Sequence, residues 1–231
     1  MVPTSLPIDP ADEPLERGAT ATKGDVVFHH VRREILLGIV APGTQLLEQH
    51  IAATRQCSQG TVREALMRLE QEGFVERRGY RGTVVVEPGA REVAEMARIR
   101  ESIECLGLRQ SVPGFSGRTL DRLTRITEQM DRSLAENDPY TSSELDRRFH
   151  LCMLQEARLP TLEPIFVRCA LNLHRFTYAA DDERPRYETL GEDHRALIEV
   201  VRGGDAGEAE RAMSEHIRYI VRVGAPRLHD L

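Results

Sequence analysis

Tryptophan is absent from this 231-residue chain, and aromatic side chains make up only 5% of it. A core built from large rings is therefore excluded, and Leu, Ile, Val and Ala must fill the interior, as suits a helical protein. Cysteine is scarce. Cys57, Cys105, Cys152 and Cys169 are widely spaced and form no CxxC pair, which argues against a disulfide framework or a cysteine zinc site and for buried thiols in a reducing compartment. No N-terminal apolar run resembles a signal peptide, and no stretch reaches the length of a membrane span. These absences together predict a cytoplasmic protein with no membrane partner. An excess of positive charge is also missing: 31 Lys and Arg stand against 37 Asp and Glu, for a net charge of -6. Bulk charge does not hold such a chain to a polyanion, although a local basic patch still can. There is no internal repeat and no heptad run.

What is present falls into three parts. Residues 1–24 are rich in Pro, Ala, Thr and charge and read as a flexible leader. From about Asp25, Phe28, Val31, Ile35 and Leu36 recur at helical spacing up to Gly38, and Pro42-Gly43 makes a turn. A short helix follows over about 48–54, and Ser58 is a good N-cap for another over about 60–72, stopped by Gly73. The period then changes. Phe74–Arg77 and Thr83–Val86 read as two short strands joined by the turn Gly79-Tyr80-Arg81-Gly82. Three helices and a hairpin in this order predict a winged helix-turn-helix over 25–88. Pro88-Gly89 marks a boundary. Beyond it, helices are predicted over about 91–111, 118–137, 140–157, 160–178, 187–202 and 205–223, an all-helical bundle spanning 91–225. The fold class is mainly α.

Two constellations carry chemistry. The helix capped by Ser58 opens with Gln59, Gly60, Thr61 and Arg63, and recognition helices present such N-terminal residues to base edges in the major groove. Gln59 can bind adenine through two hydrogen bonds, and Arg63 can reach guanine or a phosphate. Arg77, Arg78 and Arg81 cluster around Gly79, Tyr80 and Gly82. They read either as a wing that follows the DNA backbone or enters the minor groove, or as an ordinary solvated face.

The stretch Val31-Arg32-Arg33-Glu34-Ile35, Gly38, Pro42-Gly43, Leu46-Leu47-Glu48, Ile51-Ala52, Ser58, Val62-Arg63-Glu64-Ala65-Leu66, Leu69-Glu70, Gly73-Phe74-Val75, Gly82-Thr83 and Val85 resembles the N-terminal domain of the GntR family of bacterial regulators. The resemblance implies a homodimer on a pseudo-palindromic double-stranded operator, with Gln49, Ser58, Gln59, Gly60, Arg63 and the 79–82 wing near the DNA. The chain departs from the family's habit at Gln59 and Gln49, where arginine is usual, and at Gln56, where glycine is common. The loss of two arginines predicts weaker phosphate-driven affinity, or a base preference shifted from guanine toward adenine.

The second constellation lies in the bundle. Asp146 and His150 are four residues apart on one helical face, while His194 and His216 each sit in a separate helix among apolar neighbours. One carboxylate and three imidazoles suit a divalent metal, Zn first, with Ni, Mn or Fe also accommodated. The region from about Glu95 to Val221 looks like the FCD ligand domain of the family's FadR-type branch. It carries Arg100 with Glu104, Asp146-x-x-Phe149-His150, His194-x-x-Leu197-Ile198, Gly204-Asp205, Ala209, Ala212-Met213 and His216. The resemblance implies that Asp146, His150, His194 and His216 hold the metal. It further implies that a small carboxylate effector binds beside it, with Arg100 either pairing with that effector or with Glu101 or Glu104. Arg175 and Tyr178 are further candidate effector contacts. The expected activity is transcriptional regulation, with repression relieved by effector as the commoner family mode. A metal set of this kind can also activate water in an enzyme, but a chain whose N-terminal third is a DNA reader needs no turnover.

Overall fold

The computed structural model describes residues 22–86, 88–179 and 190–224, save the side chains of Arg81, Tyr178 and Ala179. Most of the proposed leader, the first residues of the helix expected from 187, and Ala225 onward lie outside the described residues. The fold is mainly helical, as the sequence predicts.

The N-terminal unit begins with α1 (Lys23–Leu36), two residues earlier than the apolar spacing suggests. The reason is a capping box. Thr22 Oγ1 accepts the Asp25 amide at 3.1 Å, and the Asp25 carboxylate accepts the Thr22 amide at 3.0 Å. Next come β1 (Gln45–Leu46), α2 (Glu48–Thr54) and α3 (Gln59–Gln71), the last capped by Ser58, whose side chain accepts from Thr61 N at 3.1 Å. β2 (Val75–Arg77) and β3 (Thr83–Val85) form the hairpin, tied by Arg78 N to Gly82 O at 2.8 Å. The sheet has three strands rather than two, in the order β1-β3-β2, all antiparallel, with Leu46 opposite Thr83 and Val75 opposite Val85. Phe28, Ile35, Leu36, Val62, Leu66, Leu69 and Phe74 fill the core of this unit. Each such side chain contributes roughly 1.5–3 kcal/mol of hydrophobic burial.

The second unit is helical throughout: α4 (Ala90–Ser111), α5 (Gly117–Ala135), α6 (Pro139–Glu156), α7 (Glu163–Ala179), α8 (Leu190–Gly203) and α9 (Ala206–Gly224). α4 packs on α6, α7 and α9, and α5 on α6 and α8. Leu123, Met130, Leu145, Phe149, Leu197, Ile198, Met213 and Ile217 form the shared core. α6 starts where Asp138 caps and Pro139 occupies the first turn. α7 starts at Glu163, three residues past the expected position, because 159–162 form a turn. At Gly191 α8 comes so close to α5 that an added Cβ would lie 3.1 Å from Thr127 O and 2.0 Å from Asp131 Oδ1.

The two units are docked. Tyr140 of α6 and Leu171 of α7 are buried in the core of the N-terminal unit. Arg32 of α1 is buried against Glu144 of α6 and lies 3.1 Å from Glu72, at the end of α3. No helix among the described residues is long and apolar enough to cross a membrane.

Candidate metal centre and nucleic-acid interface

Asp146 and His150 stand one turn apart on α6, and α8 and α9 bring His194 and His216 to them. One donor atom from each of the four lies within 4.8 Å of every other. His194 Nε2 is 3.1 Å from Asp146 Oδ1 and 3.2 Å from His150 Nε2, and His216 Nε2 is 3.3 Å from His150 Nε2. Asp146, His150 and His194 are buried. Phe149 closes one side, its ring edge-on to His194 with centroids 4.6 Å apart.

The far side of the His150 and His194 rings fixes their tautomers. His150 Nδ1 meets the Glu104 carboxylate of α4, and His194 Nδ1 meets the Leu190 carbonyl at 2.6 Å. Both partners only accept, so both Nδ1 atoms carry the proton and both Nε2 atoms turn a lone pair inward. Burial pushes His150 down from the ordinary imidazole value and, with His194 and His150 adding to it, pushes His216 well down. Burial opposes the charge of Asp146 and is outweighed by His150, Arg100 and His174, which hold its pKa well below the usual carboxylate range.

Two inward lone pairs 3.2 Å apart with no proton between them repel, and a cation between them removes the repulsion. Ligand atoms about 2.1 Å from a metal stand about 3.0–3.4 Å apart for angles between 90° and tetrahedral, and the separations here are 3.1–3.3 Å for three of the pairs. A carboxylate and three imidazoles are also the donor types that divalent Zn, Ni, Mn and Fe accept. The residues fit such an ion.

Two neighbours escaped the sequence reading in these roles. Glu104 orients His150, the carboxylate–histidine arrangement that raises ligand basicity. His174 of α7, buried, reaches the other Asp146 oxygen, Nε2 to Oδ2 at 2.9 Å. Neither has a motif that marks it, for Glu104 is 46 residues and His174 28 residues from its partner. Arg100 is fully buried, with Nε donating to Glu104 at 2.7 Å and Nη2 3.5 Å from Asp146. Of the two readings of Arg100, the salt bridge to Glu104 is present. Arg175 is buried, and its Nη2 donates to the Val86 carbonyl at the end of β3. The Tyr178 side chain lies outside the described residues.

The N-terminal candidates gather at the starts of α2 and α3 and along the hairpin. Gln49 and Gln59 line one shallow hollow with Leu47, Glu48 and His50. Gly60 is exposed, while Ser58 and Thr61 face each other within the α3 cap, Oγ to Oγ1 at 2.9 Å. Arg63 donates to Glu48 from Nε at 3.2 Å and from Nη2 at 2.9 Å. At the wing, Gly79 (φ 46°) and Gly82 (φ 65°) bound a single tight turn that carries Tyr80 fully into solvent. Arg77 is 3.7 Å from Glu70, and Arg78 donates to Glu76 at 2.6 Å. The Arg81 side chain lies outside the described residues.

A three-stranded winged helix-turn-helix docked on a helical bundle with a buried Asp/His cluster is the architecture of a DNA-binding regulator. A family model described as "Bacterial regulatory proteins, gntR family" matches residues 23–85, and one described as "FCD domain" matches residues 95–219. The chain belongs to the GntR family of transcriptional regulators and carries an FCD ligand-binding domain. It is 25% identical over 194 residues to the HTH-type transcriptional repressor RspR of Escherichia coli K12, covering 84% of this chain and 85% of that protein. It is 23% identical over 206 residues to a probable D-xylose utilization operon transcriptional repressor of Paenarthrobacter nicotinovorans, covering 89% and 90%. Among solved structures, E. coli McbR/YncC shares the fold with a TM-score of 0.72 at 21% identity, over 90% of this chain and 99% of that one. A GntR regulator from Rhodococcus sp. RHA1 does so with a TM-score of 0.70 at 21% identity, over 86% and 95%.

Proposed function

We propose that the protein is a cytoplasmic, metabolite-responsive repressor. It binds a pseudo-palindromic operator as a homodimer, through α3 and the wing of residues 25–88. It responds to a small carboxylate at a divalent metal held by Asp146, His150, His194 and His216 in residues 91–225. The observation that carries this reading is the inward-facing donor set of those four residues, three helices converging on one point. A divalent cation there supplies fixed positive charge and coordination positions for a carboxylate oxygen. Repression is supported by the names of the E. coli and Paenarthrobacter relatives. The docking of the two units through Arg32, Tyr140 and Arg175 gives an effector in the bundle a way to favour one arrangement of the DNA-binding unit, provided it binds the two arrangements unequally.

A second reading is favoured by Arg100. Its guanidinium is committed to Glu104 and Asp146, which suits a metal that is structural or is itself the signal. Thermal melting of metal-loaded and metal-stripped protein against a panel of small carboxylates separates the two. An acid that raises the melting temperature only of the loaded protein supports acid sensing. Stabilisation by metal with no acid adding to it supports the second reading and overturns the first.

A further inference from the structure

The pair formed by Glu48 and Arg63 joins the first residue of α2 to the reading face of α3. The guanidinium of an arginine has five N–H donors, four of which form two bidentate edges. Glu48 takes the edge formed by Nε and Nη2, one carboxylate oxygen on each. The end edge, one N–H from each of Nη1 and Nη2, has no partner among the described residues and matches the O6/N7 edge of guanine. Arg63 remains more than half exposed, and Glu48 is its bonded partner among the described residues. Gln49 and Gln59 border the same hollow as Glu48. The face therefore combines two neutral amides with an arginine whose charge is offset by a carboxylate, a surface better suited to hydrogen-bonding base edges than to gripping phosphates.

We propose that Glu48 is a positioning residue for DNA recognition: by holding one edge of Arg63 it turns the end edge toward the major groove, where Arg63 selects guanine. This rests on the reading of α3 as the DNA-reading helix. A free arginine samples many rotamers and accepts phosphates in many directions. One held at Nε and Nη2 loses less freedom on binding and accepts fewer wrong partners. The carboxylate also repels phosphate. Its removal therefore has two effects of opposite sign, weaker discrimination and stronger attraction to arbitrary DNA, whereas damage to the fold weakens both.

The test uses the full chain and a pool of duplexes with a randomised centre. Wild type, Glu48→Gln, Glu48→Asp and Arg63→Ala each select sequences. Affinities are then measured on the enriched duplex and on a scrambled duplex of the same composition. Glu48→Gln is expected to lose about tenfold in discrimination, at the same guanine position that Arg63→Ala relaxes, and to bind scrambled duplex as well as wild type or better. Glu48→Asp, one methylene shorter, is expected to fall between. If Arg63→Ala relaxes a position that both Glu48 variants read as wild type does, the proposal is wrong. It is equally wrong if Arg63→Ala weakens all duplexes alike, since Arg63 then holds phosphate while α3 still reads DNA. If wild type enriches no sequence, the functional reading beneath it fails instead.

Discussion

Arg32 of α1 and Glu144 of α6 form a buried ion pair, each side chain about 2–3% exposed, between the DNA-reading unit and the helical bundle. Glu72 at 3.1 Å shares the same Arg32, and Arg147 donates to the other oxygen of Glu144 at 3.1 Å. Removing one member leaves a buried charge short of a partner, which typically costs 3–5 kcal/mol. Glu144→Ala is expected to lose about 3 kcal/mol in chemical denaturation, the lower end because Glu72 remains with Arg32. Replacing Arg32 and Glu144 together by Met and Leu is expected to cost less than the sum of the two single changes, although Glu72 and Arg147 each then lose a partner. If the double change costs as much as the sum of the single ones, the two charges do not depend on each other.

Metal removal is the next measurement. At a metal concentration about 100 times its dissociation constant, binding adds about 2.7 kcal/mol to folding stability. For a chain of this size that corresponds to roughly 5–10 °C in melting temperature. Dialysis against a chelator is expected to lower the melting temperature by that amount, and one equivalent of Zn to restore it. His194→Ala is expected to melt at one temperature with and without Zn. Persistence of the Zn shift in that variant would remove His194 from the ligand set.

Glu104→Gln tests the orientation of His150 without touching a ligand. The amide keeps the shape of the side chain and loses the charge that holds the Nδ1 proton. Metal affinity, read by competition with a chromogenic chelator, is expected to fall 10- to 100-fold. An unchanged affinity would mean that the Glu104–His150 contact serves packing alone.

Gln56 ends α2 with φ at +50°, a left-handed conformation in which an L side chain is disfavoured. This is the position where the resembled family commonly has glycine. Gln56→Gly is expected to raise stability by about 0.5–1 kcal/mol, the relief of strain exceeding the added freedom of the unfolded chain. Equal or lower stability in denaturant melts would contradict the strain.

The parts of this molecule written in local signals were legible in its sequence. Ser58 and Asp138-Pro139 announced the starts of α3 and α6, and the apolar spacing of Phe28, Ile35 and Leu36 announced the buried face of α1. β1 carried no such signal, since two residues, Gln45 and Leu46, become a strand only by pairing with β3. Arg32 sits in the charged run Arg32-Arg33-Glu34 and looks like a solvated residue, yet it is buried because its partners come from elsewhere in the chain. At the candidate metal centre the i, i+4 spacing of Asp146 and His150 was readable, and the family resemblance supplied His194 and His216. Their companions Glu104 and His174 were not readable in those roles, because what selects them is convergence in space. Arg175 was readable only as a candidate effector contact, and a sequence does not reveal that its guanidinium reaches Val86.

The contact at Gly191 anchors one side of the cluster. With no side chain at 191, α8 is seated directly on the backbone of α5 at Thr127, and close-packed backbone does not slide by small steps. His194, three residues further along α8, is thereby bolted to α5. His216 comes from α9, which packs chiefly on α4 and also on α8, and it is the least buried of the four donors. α9 thus bridges the two sides of the cluster, and α4, packed on both α9 and α7, connects it to the helix that meets the N-terminal unit.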